Sequence, residues 1–272
     1  DLTVGDFDPK YFPIPDKLRD AAKAALDAGA TNYPPAQGIP ALRHAVQKFY
    51  ARHLNLDYPV ESVLIAAGAR PLLYSLFRVL VEPGETVSFP APCWNYPLYS
   101  EVVGAHGDAV VCSPENAFQP GAGSLEAAIK KSSLLVVNTP LNPAGTVTPR
   151  DAIFRLSEAM VRENEERERR GVRPIYLAYD HIYWMLSFGS EHVTPCALVP
   201  EMAKYTILID GISKAFAATG LRVGWALGPT DVIGKMNTLL THTGGWAPKP
   251  EQTATAALLD DDEAISKYHA TM

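Results

Sequence analysis

Seven short apolar runs punctuate the chain, and amphipathic stretches of helical length lie between most of them. The runs are residues 63–67, 86–89, 109–112, 133–138, 175–179, 205–210 and 223–227. Val, Ile and Leu fill them with little polar alternation, the pattern of strands buried on both faces. Parallel strands need a crossover connection, so this alternation predicts a doubly wound, mainly parallel sheet with helices packed on it. Pro15 opens the first helical pattern, with Leu18, Ala21, Ala22, Ala25 and Leu26 on one face. A Gly/Pro-rich loop at 31–38 leads to a second helix with Pro40 in its first turn, and a long charged helix is expected over 149–169.

The 272 residues suffice for one large α/β domain or two small ones, and at 47% hydrophobic the chain can build a sizeable core. Net charge is −6 and the basic residues form no stripe, which argues against a nucleic-acid partner. No apolar run approaches membrane-spanning length and no signal-peptide pattern opens the chain, so no membrane partner is expected. Cys93, Cys112 and Cys196 are widely spaced and odd in number; they read as reduced thiols of a cytoplasmic protein. The histidines show no ligand spacing and read as surface or structural, and Asp260-Asp261-Asp262-Glu263 reads as a solvated face, so no metal is expected. Both ends read as cut. The chain opens on Asp1-Leu2-Thr3-Val4 and stops at Met272 within helix-rich sequence, as a domain excised from a longer protein would.

In a doubly wound sheet, ligands bind beyond the carboxyl ends of the strands. Five of the runs carry polar or glycine-rich residues there. Gly68-Ala69-Arg70 follows the first run and Pro92-Cys93-Trp94 the second. Asn138 and Asn142 follow the fourth, Asp180 and Tyr183 the fifth, and Ser213-Lys214 the sixth. Arg222 stands eight residues after Lys214, between Gly220 and Gly224.

These residue types match the needs of one cofactor, pyridoxal 5′-phosphate (PLP). The Lys214 amine can form a Schiff base with an aldehyde and then carry a proton to and from a substrate α-carbon. The Asp180 carboxylate can keep a pyridine nitrogen protonated, and Tyr183 with Asn142 can hydrogen-bond the ring's 3-oxygen. Backbone amides at Gly68, Ala69 and Arg70, opening a helix expected from Pro71, suit a phosphate, with Arg222 as a charge-assisted fork and Ser213 as a further donor. Trp94 can cover the ring face. Taken singly, each has an ordinary reading: Asn-Pro forms turns, Asp after a strand caps helices, and Trp is often core. The set at five strand ends carries the inference.

The chain resembles fold-type I PLP enzymes, in particular the class I/II aminotransferases of the aspartate aminotransferase superfamily. The resemblance runs over nearly the whole chain, in order. It rests on Gly5-Asp6-Phe7-Asp8, on Thr31-Asn32-Tyr33 through Gly38-Ile39-Pro40-Ala41-Leu42-Arg43, and on Pro92-Cys93-Trp94. It continues through Asn138-Thr139-Pro140-Leu141-Asn142-Pro143-Ala144-Gly145, Asp180 with Tyr183, and Ser213-Lys214 to Thr219-Gly220-Leu221-Arg222-Val223-Gly224. It implies an α/β fold: a three-layer α/β/α sandwich with a mainly parallel seven-stranded mixed sheet, one strand antiparallel. Residues 1–272 would be the PLP-binding large domain, with the small C-terminal domain and an N-terminal segment missing. It also implies a homodimer with shared active sites, in which Tyr33 reaches the phosphate of the partner's cofactor and Gly5 lies by the substrate carboxylate. Asn142 is expected to touch substrate as well as cofactor.

Three departures stand out. Ala144 replaces a usual threonine. Gly211 stands where many members have a phosphate-binding serine. The small domain, which carries the arginine that grips the substrate α-carboxylate, is absent. The activity implied is transfer of an amino group between an amino acid and a 2-oxo acid. A lyase or decarboxylase on the same fold is the alternative within enzymes, and an aminotransferase-like sensor domain of a transcription regulator the alternative outside them. The residues do not choose among amino donors.

Overall fold

The structure is a computed structural model and describes residues 5–121 and 123–272; Asp1-Leu2-Thr3-Val4, with the cut N-terminus read from it, lies outside the described residues. All seven expected strands form: β1 (Val63–Ala66), β2 (Thr86–Ala91), β3 (His106–Val111), β4 (Leu134–Asn138), β5 (Tyr176–Asp180), β6 (Thr206–Gly211) and β7 (Gly224–Leu227). They make one sheet in the order β1-β7-β6-β5-β4-β2-β3. The β2–β3, β2–β4, β4–β5 and β5–β6 ladders are parallel, and β7 runs antiparallel to both its neighbours. The expected mixed sheet with one reversed strand is therefore present.

The helices are α1 (Asp16–Asp27), α2 (Pro40–Leu54), α3 (Ala69–Leu80), α4 (Tyr96–Val102), α5 (Ser124–Lys131) and α6 (Arg150–Arg169). They continue with α7 (Pro195–Leu198), α8 (Ile212–Ala215), α9 (Thr230–Thr243), α10 (Lys249–Leu259) and α11 (Asp262–His269). Strand side chains alternate between two cores. On β1, Val63 and Ile65 join the core beneath α1, α2, α6 and α10, while Leu64 and Ala66 join the core beneath α3 and α9. Two filled faces make the three-layer sandwich.

Some expectations shift. The helix placed at Pro71 begins at Ala69. Leu26, placed on the buried face of α1, is 54% exposed, because the helix turns only Leu18 and Ala25 fully into the core. Strand β3 is not buried on both faces; it is a sheet edge, and Val111 at its end is 84% exposed. The acidic run at 260–263 is not merely a solvated face: the Asp261 carboxylate caps α11 through the Ala264 amide at 2.9 Å, and Asp262 bonds Arg52 and His53 of α2.

At the carboxyl edge three backbone segments press together. A β-carbon on Gly224 would lie 2.7 Å from the Gly68 carbonyl carbon, and one on Gly211 would lie 2.7 Å from the Val223 carbonyl oxygen. A serine at Gly211 would therefore require the Val223–Gly224 backbone to shift. Gly224→Ala is expected to destabilise the chain by about 1–3 kcal/mol, the range for overpacked sites. Urea denaturation checks it, and an unchanged midpoint counts against the contact.

Candidate active site

Asp180 ends β5 and is buried to 5% exposure. The Tyr96 hydroxyl donates to its Oδ2 at 2.7 Å, and the Ile182 amide donates to Oδ1 at 3.3 Å. Burial lifts this carboxyl to about 6, with the Tyr96 and Ile182 hydrogen bonds working against the rise. Beside it, Asn138 Nδ2 donates to the Asp180 carbonyl oxygen at 2.9 Å, and Asn138 Oδ1 accepts the Asn142 amide at 2.8 Å. The two asparagines thus fold the turn that carries Asn142 forward. Asn142 Nδ2 then donates to the Tyr183 hydroxyl at 3.1 Å. Burial raises the Tyr183 phenol above its ordinary value, partly offset by that bond.

Lys214 stands on the single turn α8, directly after β6, with Ser213 buried beside it. Its amine donates to the Gly5 carbonyl oxygen and lies 5.9 Å from the Tyr183 ring centre. Burial holds the amine below the usual lysine range; Asp6 opposes that shift, while Arg70 and Arg222 add to it. Asp6 is itself held in place by the Thr219 hydroxyl. The N-terminal segment thus closes over the lysine.

Gly68 sits at φ 87°, in the left-handed region that favours glycine, and opens α3. A β-carbon there would lie 2.3 Å from Nη2 of Arg222. Arg222 is itself left-handed at φ 55°; its guanidinium donates to the Thr219 carbonyl oxygen at 2.6 Å and to that of Ala67 at 3.1 Å. This brings the Arg222 fork to the amino end of α3, the expected anion cradle. The Arg70 guanidinium lies 5.0 Å from the centre of the Trp94 ring. Trp94 also meets Tyr96 edge-on, so Trp94, Tyr96 and Asp180 form one contiguous wall.

The fold therefore brings together Gly5, Gly68, Ala69, Arg70, Trp94, Asn142, Asp180, Tyr183, Ser213, Lys214 and Arg222 at one sheet edge. Tyr33 does not join them within this chain. It is 82% exposed, and its ring stands edge-on to Trp246 at 5.3 Å. Two contributions were not read from the sequence. Tyr96 holds Asp180 across 84 residues of chain. His181, grouped with the surface or structural histidines, is fully buried and bonds Tyr50 of α2 at 3.0 Å. Neither follows a local spacing; only a contact between distant segments defines them.

No helix among the described residues is long and apolar enough to cross a membrane. Among those residues, no group of three or more His, Cys, Asp or Glu side chains is placed to hold a metal.

The Asp180 shift has a consequence for stability. Its folded value lies above the unfolded one, so its contribution is fully present below the unfolded value of about 4 and is lost as pH rises through about 6. His181 and His192 are depressed by burial, and their contributions grow as pH rises. Comparing wild type with Asp180→Asn isolates the aspartate. The variant is expected to gain on wild type between acid and mildly alkaline pH, by at most about 3 kcal/mol. Denaturant midpoints at both pH values test this, and parallel curves would contradict it.

Residues 1–272 match the family profile described as Aminotransferase class I and II. The chain is 34% identical over 269 residues to the aspartate/prephenate aminotransferase of Thermus thermophilus, covering 98% of this chain and 66% of that protein. It is 33% identical over 235 residues to the aspartate aminotransferase of Geobacillus stearothermophilus, covering 85% of this chain and 57% of that one. The solved structure of aspartate aminotransferase from Thermus thermophilus with maleate superposes with a TM-score of 0.89 at 31% identity, covering 99% of this chain and 67% of that one. The chain thus spans between about half and two thirds of the length of these relatives.

Proposed function

We propose an aminotransferase activity for this chain, which belongs to the aminotransferase class I and II family. The observation that supports it most is the convergence of Lys214, Asp180, the Asn142–Tyr183 pair and the Arg222–Gly68 cradle at one sheet edge. The family uses PLP, and the residues present fit it. Asp180 is a buried carboxylate bonded by a hydroxyl and an amide, which leaves its charge to be met by a protonated ring nitrogen. Arg222 and the amino end of α3 fit a phosphate, and the Asn142–Tyr183 pair fits a phenolic oxygen.

When bound, PLP supplies an aldehyde for the lysine and an electron-accepting ring that stabilises negative charge on the substrate's α-carbon. The chain's residues supply the rest. The lowered affinity of the Lys214 amine for protons leaves more of it as the free base, the form that attacks carbonyls and removes the α-proton. After removal, Lys214 would hold that proton and return it one position away; a water molecule would then cleave the carbon–nitrogen bond, its oxygen becoming the oxo group of the released acid while the nitrogen stays behind. Asp180 holds a proton on the ring nitrogen through its negative charge. Tyr183 donates its hydroxyl proton toward the phenolic oxygen, oriented by Asn142. Trp94 covers one ring face and excludes water.

Residues 1–272 act, in this reading, as the cofactor-binding large domain. The full enzyme is a homodimer in which Tyr33, exposed here, meets the partner's phosphate, and Gly5 and Asn142 contact the substrate. An amino acid and a 2-oxo acid are the substrates. The related proteins named for aspartate and prephenate point to a dicarboxylate donor as the first to test.

The test is a visible spectrum of the PLP-loaded full-length protein as amino acids are added singly. Loss of the cofactor band with appearance of the 2-oxo acid, and its return on adding a 2-oxo acid, is expected. A band that persists while ammonia or carbon dioxide is released would move the reading to a lyase or decarboxylase. Arg222→Ala is expected to weaken PLP retention by about tenfold or more, the loss of one charge-assisted fork; equilibrium dialysis measures it, and unchanged retention would remove Arg222 from the phosphate site.

A further inference from the structure

Beneath Lys214 lies a second set of buried polar groups that transamination leaves unused. Asp210, on β6 four residues before Lys214, is 2% exposed. Its Oδ1 accepts the Gly211 amide at 2.7 Å, and its Oδ2 accepts the Trp184 indole N–H at 2.8 Å and faces the Tyr50 hydroxyl at 3.1 Å. The Tyr50 oxygen also meets Trp225 Nε1 at 3.0 Å and His181 Nε2 at 3.0 Å. His181 Nδ1 meets His192 Nε2 at 3.3 Å. His192 Nδ1 is buried with no partner among the described residues. His192 is among the residues lining a surface crevice, with His53, Trp184, Met185 and His269.

The donor count constrains this chain. An indole N–H only donates, so Trp225 occupies one lone pair of the Tyr50 oxygen. One O–H and one lone pair remain for two neighbours, Asp210 and His181. With neutral imidazoles, two arrangements satisfy every link. In the first, Asp210 is a carboxylate, Tyr50 donates to it, and both histidines carry their proton on Nε2. In the second, Asp210 is protonated and donates to Tyr50, Tyr50 donates to His181, and both histidines carry their proton on Nδ1.

The two arrangements differ by one proton. A proton bonds to His192 Nδ1, and the His192 Nε2–H bond breaks as one forms at His181 Nδ1. The His181 Nε2–H bond breaks as one forms at the Tyr50 oxygen, and the original Tyr50 O–H bond breaks as one forms at Asp210. One proton is taken up at His192 Nδ1, which lies buried in a residue lining the crevice, and one arrives at Asp210.

We propose that Asp210 is a positioning residue for the Lys214 turn, and that the single-file chain Asp210–Tyr50–His181–His192 carries protons between it and the crevice. As a carboxylate, Asp210 holds the Gly211 amide by a charge-assisted bond at the point where β6 turns into α8. Protonation weakens that hold and relieves Asp180, on the adjacent strand, of a like charge. Burial lifts Asp210 to about 7, against its three hydrogen bonds and with Asp180 adding to the rise. Burial also lowers both His181 and His192, the latter to about 4, so both rest neutral as the path requires. The titratable groups facing the path are Tyr50 and Tyr58 from α2 and its following loop, and Tyr179 and Asp180 from β5. At the crevice they are His53, bonded to Asp262, and His269, bonded to the Ala215 carbonyl oxygen. The inference goes beyond the proposed activity and stands without it.

The path is tested on the full-length protein, PLP-loaded and stripped, by time-resolved infrared spectroscopy of carboxyl C=O stretches after a pH jump across neutrality. A titrating band that Asp210→Asn removes is expected. In Tyr50→Phe and His192→Gln, proton arrival at that band is expected to slow by about tenfold or more. If Tyr50→Phe does not fold, His192→Gln at the crevice decides. Absence of the band, or an unchanged rate in His192→Gln, overturns the path. In the loaded protein, Asp210→Asn is expected to remove one inflection from the pH profile of the cofactor's visible band, and an unchanged profile overturns the positioning role. The stripped protein gives the infrared result with no turnover, so its failure is separable from failure of the aminotransferase reading.

Discussion

The close approach of Gly224 to Gly68, with Gly211 packed against the same stretch of β7, governs what the sheet edge can hold. Backbone meets backbone at distances no β-carbon tolerates. The amino end of α3, the start of β7 and the end of β6 are thereby drawn to one point. Arg222, the second residue before Gly224, is left over Gly68, and Lys214, the third residue after Gly211, is left above the edge. Larger residues at these positions would separate the arginine from the helix end it faces. The anion cradle and the lysine therefore depend on packing between glycines more than on any polar contact of their own.

Burial does the electrostatic work. Asp180 and Asp210 lie on neighbouring strands in a dry interior, and burial lifts each well above the ordinary aspartate range. Each is stabilised by neutral donors: Tyr96 for the first, Tyr50 and Trp184 for the second. Two like charges so placed resist ionising together. A cationic group bound beside Asp180, or a proton on Asp210, would relieve that conflict. Lys214 is shifted the other way by the same burial, which favours its uncharged amine.

Much of this was legible along the chain because it is local. Buried strands are written as short Val/Ile/Leu runs, and all seven runs became strands, although β3 is an exposed edge and β7 runs antiparallel to its neighbours. Polar residues just after a strand must lie at the carboxyl edge, so their order along the chain already places Asn142, Asp180 and Lys214 together. What escaped was set by contacts between distant segments. Tyr96 meets Asp180 across 84 residues of chain and Tyr50 meets Asp210 across 160, so neither role has a local signal. His181 was seen only as the neighbour of Asp180, though its ring points away into the chain that ends at Asp210. Leu26 followed helical spacing yet faces solvent, since periodicity defines a face and not how much of it is covered.

The central claim is that this sheet edge holds PLP with Lys214 as its covalent anchor. Borohydride reduction of the PLP-loaded full-length protein, followed by proteolysis and mass spectrometry, tests it directly. The expected result is a phosphopyridoxyl mass on the peptide containing Lys214 and on no other lysine peptide. An unlabelled Lys214 peptide, or a label confined to another lysine, would contradict it.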